Sequence, residues 1–171
     1  MKALTLHQPW ASLIALGIKT IETRSWSTTH RGSIAIHAAK RHPKIGDMRT
    51  VVDNPSAWDR WRDAGLAPSQ IDVHPGPLGA VVATARLVDC IPMVESTAAR
   101  PGLPPLLVVR PTTLEFWAHG AIGVPTLDVT HQRPYGDFAP GRWAWLLDDI
   151  EPLDEPVPAR GHQGLWNWEQ P

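Results

Sequence analysis

Lys19, Glu22, Arg24 and Trp26 stand close together near the start of the chain. In an extended segment alternate side chains share a face, so Glu22, Arg24 and Trp26 point the same way. Arg24 carries a planar fork of donors that matches a phosphate or a base edge bidentately. Trp26, or Trp10 upstream, offers a ring face on which a base stacks. Lys19 and Glu22 make a candidate acid–base pair, because a buried lysine beside a carboxylate has a displaced pKa. The same residues also have a plain structural reading. Glu22 and Arg24 form a simple ion pair under Trp26, worth less than about 1 kcal/mol if exposed. Lys19, at the turn into the strand, is then a solvated lysine.

Further cations follow. Lys19, Arg24, Arg31, Lys40, Arg41 and Lys44 lie in one stretch whose only acid is Glu22, with His30, His37 and His42 among them. That stretch carries +5, which leaves −6 for the rest of a chain whose formal charge is −1. The whole molecule is therefore no generic polyanion binder, and nucleic-acid affinity must come from a local face. Arg31 and Gly32 read as a tight turn, and Lys40 and Arg41 follow a strand from which they can track a backbone. Gln8 precedes a helix start, where free N–H groups favour an anion; it can equally cap the helix. Asp148, Asp149, Glu151, Asp154 and Glu155 form an acidic stretch far from this region.

Other chemistries find no support. The eight histidines show no HxH or HExxH spacing, and none is backed by cysteine, so no metal site and no cofactor are expected. There is no nucleophile-elbow or P-loop motif. Cys90 is the only cysteine, which rules out an intrachain disulfide and fits a reducing compartment. The longest apolar run, Trp10 to Ile18, is too short to span a bilayer and is a poor signal peptide. The expectation is a cytoplasmic protein with no membrane partner.

The elements that must position these residues can be read from periodicity. Lys2 to Leu6 alternates as a first strand. Pro9 suits the first turn of a helix in which Trp10, Leu13, Ile14 and Gly17 recur at helical spacing. Thr20 to Trp26 and Ser33 to Ala38 read as strands. Asn54-Pro55 caps a short helix holding Trp58 and Trp61, and Gly65 ends it. Ala80 to Cys90 is the longest strand candidate. Arg142 to Leu147 is another, and Val157 to Arg160 a final short one. Residues 91 to 141 are rich in proline and glycine and read as an elaborated insertion, with a helix from Thr112 or Thr113 through Trp117 to His119. Short strands with a few helices predict one mixed α+β domain over residues 1 to 171 rather than a doubly wound sheet. Of the nine tryptophans, most are expected in the core.

The run His7-Gln8-Pro9-Trp10 with Gly17-Ile18-Lys19-Thr20-Ile21-Glu22-Thr23-Arg24-Ser25-Trp26 and Arg31-Gly32-Ser33-Ile34-Ala35-Ile36-His37-Ala38-Ala39-Lys40 resembles the activating signal cointegrator homology (ASCH) family. Its signature is a Q-P-W helix start, a G-x-K-x-x-E-x-R-x-W strand and an R-G-x-I-x-I-x-A-x-K strand. Gly79 to Cys90 resembles the family's next core strand, and Arg160 to Trp168 the closing segment of some members. The resemblance implies a small PUA-like mixed β-barrel with helices packed at its ends. It also implies a cleft between the first helix and the barrel, lined by the motif residues. Members bind nucleic acid, and a few act on RNA or on a modified nucleoside. In members that remove the acetyl group of N4-acetylcytidine, the related strand reads G-x-K-T-I-T-x-R, and the lysine, the second threonine and a distant glutamate carry the chemistry. Lys19 and Arg24 match that strand. Glu22 stands in place of the second threonine, and the distant glutamate cannot be placed on this sequence.

Three readings follow. The first is a module binding RNA or single-stranded nucleic acid, or a nucleotide- or nucleoside-sized piece of one, through Gln8, Trp10, Lys19, Arg24, Trp26, Arg31, Lys40 and Arg41. The second is a hydrolase acting on RNA or a modified nucleoside, with Lys19 and Glu22 catalytic. The third is a protein-interaction module whose insertion is the interface. DNA against RNA, the base recognised and the oligomeric state stay open.

Overall fold

The structure is a computed structural model and describes residues 1–67, 74–94, 108–109 and 129–169. Strand β1 (Lys2–Leu6) is followed by helix α1 (Trp10–Ala15), β2 (Ile21–Arg24) and β3 (Gly32–Ala38). Helices α2 (Ile45–Val52) and α3 (Pro55–Asp63) come next, then β4 (Ala80–Val94), β5 (Val108–Val109), a 3₁₀ turn (Thr130–Tyr135), β6 (Trp143–Pro158) and β7 (Leu165–Asn167). In hydrogen-bonding order the strands run β2-β6-β4-β3-β1-β7, with β5 added to β4. This is the mixed α+β arrangement expected. The described residues fall into two compact units: one formed by 1–20, 32–86 and 148–171, the other by 21–31 and 87–147. Strands β4 and β6 each begin in one unit and end in the other.

In the first unit β1 pairs in parallel with β3, Leu4 opposite Ile36, and antiparallel with β7, Ala3 opposite Trp166. Ala3, Leu4, Ile34, Ala35 and Ile36 are fully buried, as a central strand pair covered on both faces requires. Helix α1 packs on β1 and β3 through Leu13 and Ile14. Gly17, at φ +68°, closes that helix, and Arg60 donates to the Leu16 carbonyl at 2.7 Å. Asn54 caps α3 by accepting from the Ala57 N–H at 3.1 Å, with Pro55 at its first position. Trp61 is fully buried there, its indole N–H on the His74 carbonyl.

In the second unit β2 pairs antiparallel with the start of β6, Glu22 opposite Trp145 and Arg24 opposite Trp143. Ile21, Met93, Val129 and Ala144 form its core, with Phe138 and Leu146 packed against them.

Several expectations change in detail. Pro9 is the N-cap rather than the first residue of α1. The Arg142–Leu147 strand and the short Val157–Arg160 strand are one long strand, β6. Pro152, Pro156 and Pro158 with five acids masked it, since both residue types are rare in strands. Helix α2 and strand β7 have no counterpart in the sequence reading. The helix expected around Trp117, and most of the 91–141 stretch, lie outside the described residues. Trp61, Trp145 and Trp168 are buried, while Trp10, Trp26, Trp58, Trp143 and Trp166 are partly exposed.

Candidate functional site

Strand β2 explains its own exposure pattern. Ile21 faces the core of the second unit, and its N–H donates to Gln132 Oε1 at 3.3 Å. Thr23, on the same face, accepts from the Asp137 N–H at 3.1 Å. Glu22 and Arg24 share the opposite face, as alternation requires, and Arg24 Nε stands 3.0 Å from Glu22 Oε1. The N–H is not aligned along that line, so the contact is Coulombic rather than a directed hydrogen bond. Side-chain exposure is 9 % for Glu22 and 24 % for Arg24, so the carboxylate is the inner partner and the guanidinium the outer one.

Trp26 follows just past the strand, partly exposed. Trp145 sets its position twice. The two rings meet edge to face at 4.7 Å and 85°, and the Trp145 indole N–H donates to the Trp26 carbonyl at 3.3 Å. Trp145 is fully buried, so it anchors Trp26 and is not itself a platform.

Arg31 is less available than its exposure suggests. One terminal nitrogen donates to the Thr28 and His30 carbonyls, and the other meets Asp89 at 2.7 Å. Arg31 thus clips the β2–β3 loop to β4. Beside it, burial pushes the Cys90 thiol up in pKa, away from thiolate chemistry.

The first unit holds the remaining expected residues. Gln8 is fully buried and its amide is spent: Nε2 donates to Ser12 Oγ at 2.7 Å and to the Pro77 carbonyl at 2.8 Å, and Oε1 accepts from the Ser12 N–H at 3.1 Å. Through the Ser12 N–H it satisfies a free donor of the first turn of α1. Gly76 makes room for this, since a Cβ there would stand 2.9 Å from Gln8 Nε2. Trp10 opens α1, partly exposed. Lys19 is buried, 1 % exposed, and engaged by its surroundings, which rules out the plain alternative of a solvated lysine. Glu22, at 7 %, is likewise no surface residue.

Lys40 and Arg41 are exposed just after β3, and Lys44 and Arg49 are exposed at the start and the last turn of α2. Among the described residues none of these four carries an ion pair. Asp47, the acid nearest Lys44, is turned onto the Lys44 N–H at 3.0 Å as part of the helix cap. Arg49 was outside the sequence reading because its helix was. The signal that could have found it is the pairing of Lys44 with Asp47 just ahead of an apolar and basic run.

From its strand, His37 reads as a satisfied, partly buried histidine rather than a base; it is buried, but only one of its ring nitrogens is satisfied. Its Nε2 lies 3.0 Å from the Ala159 carbonyl, and a carbonyl only accepts, so Nε2 bears the proton. Nδ1 is buried without a partner. Trp166 meets His37 edge-on at 5.6 Å and donates to Thr5 Oγ1 at 3.1 Å. Burial lowers the His37 pKa. No group of three or more His, Cys, Asp or Glu residues could hold a metal ion among the described residues.

Comparison with known proteins gives this arrangement a family. The model of the ASCH domain matches residues 4–101, which takes in the last three residues of β1 and all of α1, β2, β3, α2, α3 and β4. The chain is similar to Activating signal cointegrator 1 of Mus musculus, 55 % identical over 40 residues, or 23 % of this chain and 7 % of that one. The Homo sapiens protein of the same name matches with the same identity and coverage. The chain thus spans only a small fraction of the length of these relatives. With more than half of its residues matched by the family model, and Lys19, Glu22, Arg24 and Trp26 inside the matched region, the chain belongs to the ASCH domain family.

Proposed function

We propose that this chain is a nucleic-acid-binding module for RNA or another single strand, with Arg24 and Trp26 as its recognition pair. The observation that carries the reading is their placement at the end of β2 and two residues beyond it, each held by a buried neighbour. Glu22 holds the Arg24 guanidinium from the inner side, and Trp145 holds the Trp26 ring from beneath. Both side chains are partly exposed where the first residues of β2 are buried. A guanidinium oriented in advance loses less freedom when it meets a phosphate or a base edge. A partly exposed indole whose position is set by a buried neighbour offers ring surface on which a base stacks. Membership of the ASCH family supports the same reading. Among the described residues no helix is long and apolar enough to cross a membrane. In this reading Lys19 and Gln8 are supports rather than contacts, and Arg31 fastens a loop.

The test is a titration of labelled single-stranded RNA, single-stranded DNA and a matched duplex against the wild type, Arg24→Ala and Trp26→Ala. Loss of one stacked base weakens single-strand binding by about 1–3 kcal/mol. Affinity unchanged in both variants would remove the recognition pair. Turnover of RNA or N4-acetylcytidine by the wild type, abolished by Lys19→Met in a folded protein, would replace binding by the hydrolase reading.

A further inference from the structure

Helix α2 buries little of itself. Val51 is fully buried and the helix packs on α3, but Ile45 is 87 % exposed and Val52 43 %. An aliphatic side chain so fully in water is uncommon, though one alone would need no explanation. These two are not placed singly. Ile45, Arg49 and Val52 follow one another at i, i+4 and i+7, which puts them on one stripe of the helix. The stripe reads apolar, cationic, apolar. Just ahead of the helix in the chain come Lys40, Arg41 and Lys44, exposed and without ion pairs among the described residues.

We propose that this stripe and its leading cations form a docking surface for single-stranded nucleic acid, with the cations on phosphates and Ile45 against an unstacked base. The proposal rests on the nucleic-acid reading above and adds a second surface, in the first unit, to the Arg24–Trp26 pair of the second. Charge complementarity selects a polyanion. Ile45 selects a strand whose bases are exposed, because a duplex offers phosphates but hides its apolar base faces in the stack. An anionic membrane is a poorer fit. The stripe is about 10 Å long, and two aliphatic side chains with a short helix give little apolar area to sink between lipids. A protein partner would need about 800 Å² on each side, far more than the stripe offers. Asp47 turns its carboxylate onto the Lys44 N–H, and its single negative charge is outnumbered by the four cations Lys40, Arg41, Lys44 and Arg49. Asp53, just past the end of α2, is exposed and sets the far limit of the surface.

The experiment is a salt series with labelled oligouridylate, a matched RNA duplex and phosphatidylserine vesicles as probes. The proteins are the wild type, Lys44→Gln/Arg49→Gln and Ile45→Ser; all three sites are exposed, and circular dichroism checks the fold. Neutralising two phosphate contacts on a single strand flattens the log–log salt slope by about 1.4. Ile45→Ser leaves the slope unchanged, weakens oligouridylate about fivefold through lost apolar contact and leaves the duplex unaffected. Retained wild-type binding with an unaltered slope in the double variant overturns this surface and leaves the module reading standing. Failure of the wild type to bind any oligonucleotide overturns the module reading, and this inference with it. Vesicle adsorption abolished by Ile45→Ser, with oligouridylate binding untouched, assigns the stripe to a membrane and also overturns the proposal.

Discussion

Gly161 leaves no room for a side chain beside His37: a Cβ there would stand 2.5 Å from the imidazole Cε1 and 2.7 Å from Nδ1. Thr5 Oγ1, at 2.9 Å, closes the third side. The closing segment of the chain is thus laid directly onto a buried histidine that donates through Nε2 to Ala159 and has no partner at Nδ1. Gly161→Ala forces the ring or the segment to shift. We expect a loss of about 1–3 kcal/mol, the cost of overpacking a closed site, measured by urea denaturation.

The same geometry makes stability depend on pH. Burial, and to a lesser extent the neighbouring His162, holds the His37 pKa below the ordinary 6.5, although the bond to Ala159 opposes the shift. The unfolded chain therefore binds this proton more readily than the folded one. The contribution is fully present above about pH 6.5 and is lost as pH falls towards the lower folded value. Urea midpoints measured from neutral pH down to about pH 5 should fall on acidification, and His37→Gln should flatten that dependence. An equal slope in His37→Gln would place the acid sensitivity elsewhere.

Lys19 needs a variant that separates charge from volume. At 1 % exposure its stem is part of the packing. Lys19→Ala should destabilise by about 2–5 kcal/mol, as truncation of a large buried side chain does. Lys19→Met keeps most of the volume and should recover much of that loss. Thermal melts of the two variants, run beside binding, show which affinity changes reflect folding.

Glu22→Gln removes the inner charge of the Arg24 pair. Because Glu22 is 7 % exposed, the change should cost about 1–3 kcal/mol in a chemical melt. Oligonucleotide affinity should fall as well, since the guanidinium that Glu22 holds from the inner side is no longer oriented in advance. Affinity that stays level or rises at reduced stability would mean that Glu22 only opposes phosphate and does not orient Arg24 for binding.

Gln8→Ala tests whether that residue is a cap or a contact. It strips partners from the Ser12 N–H and the Pro77 carbonyl, with an expected loss of about 1–3 kcal/mol. Measured where the variant is folded, its affinity for single strands should equal that of the wild type. A selective loss of affinity at unchanged stability would restore Gln8 to the binding surface.

Local pattern was enough for much of this protein. Alternation in residues 20 to 26 placed Glu22 and Arg24 on one face, and the structure brings Nε to 3.0 Å from Oε1. The Asn54-Pro55 signal marked the start of α3, and the motif run carried the family. Burial was not local. Lys19 and Gln8 are polar, and only the packing around them showed that both lie in the interior, because a sequence lists a side chain's chemistry but not its neighbours. Strand β6 hid behind prolines and acids whose propensities oppose a strand, and its place in the sheet between β2 and β4 outweighed them. His37 and Gly161 are far apart in sequence, and a space that only glycine fits is created by the two segments together. The residue types and their alternation came from the chain itself. Which polar groups are buried, and which cations are left unpaired in water, was decided only by tertiary contacts, whose free energy depends on residues distant in sequence.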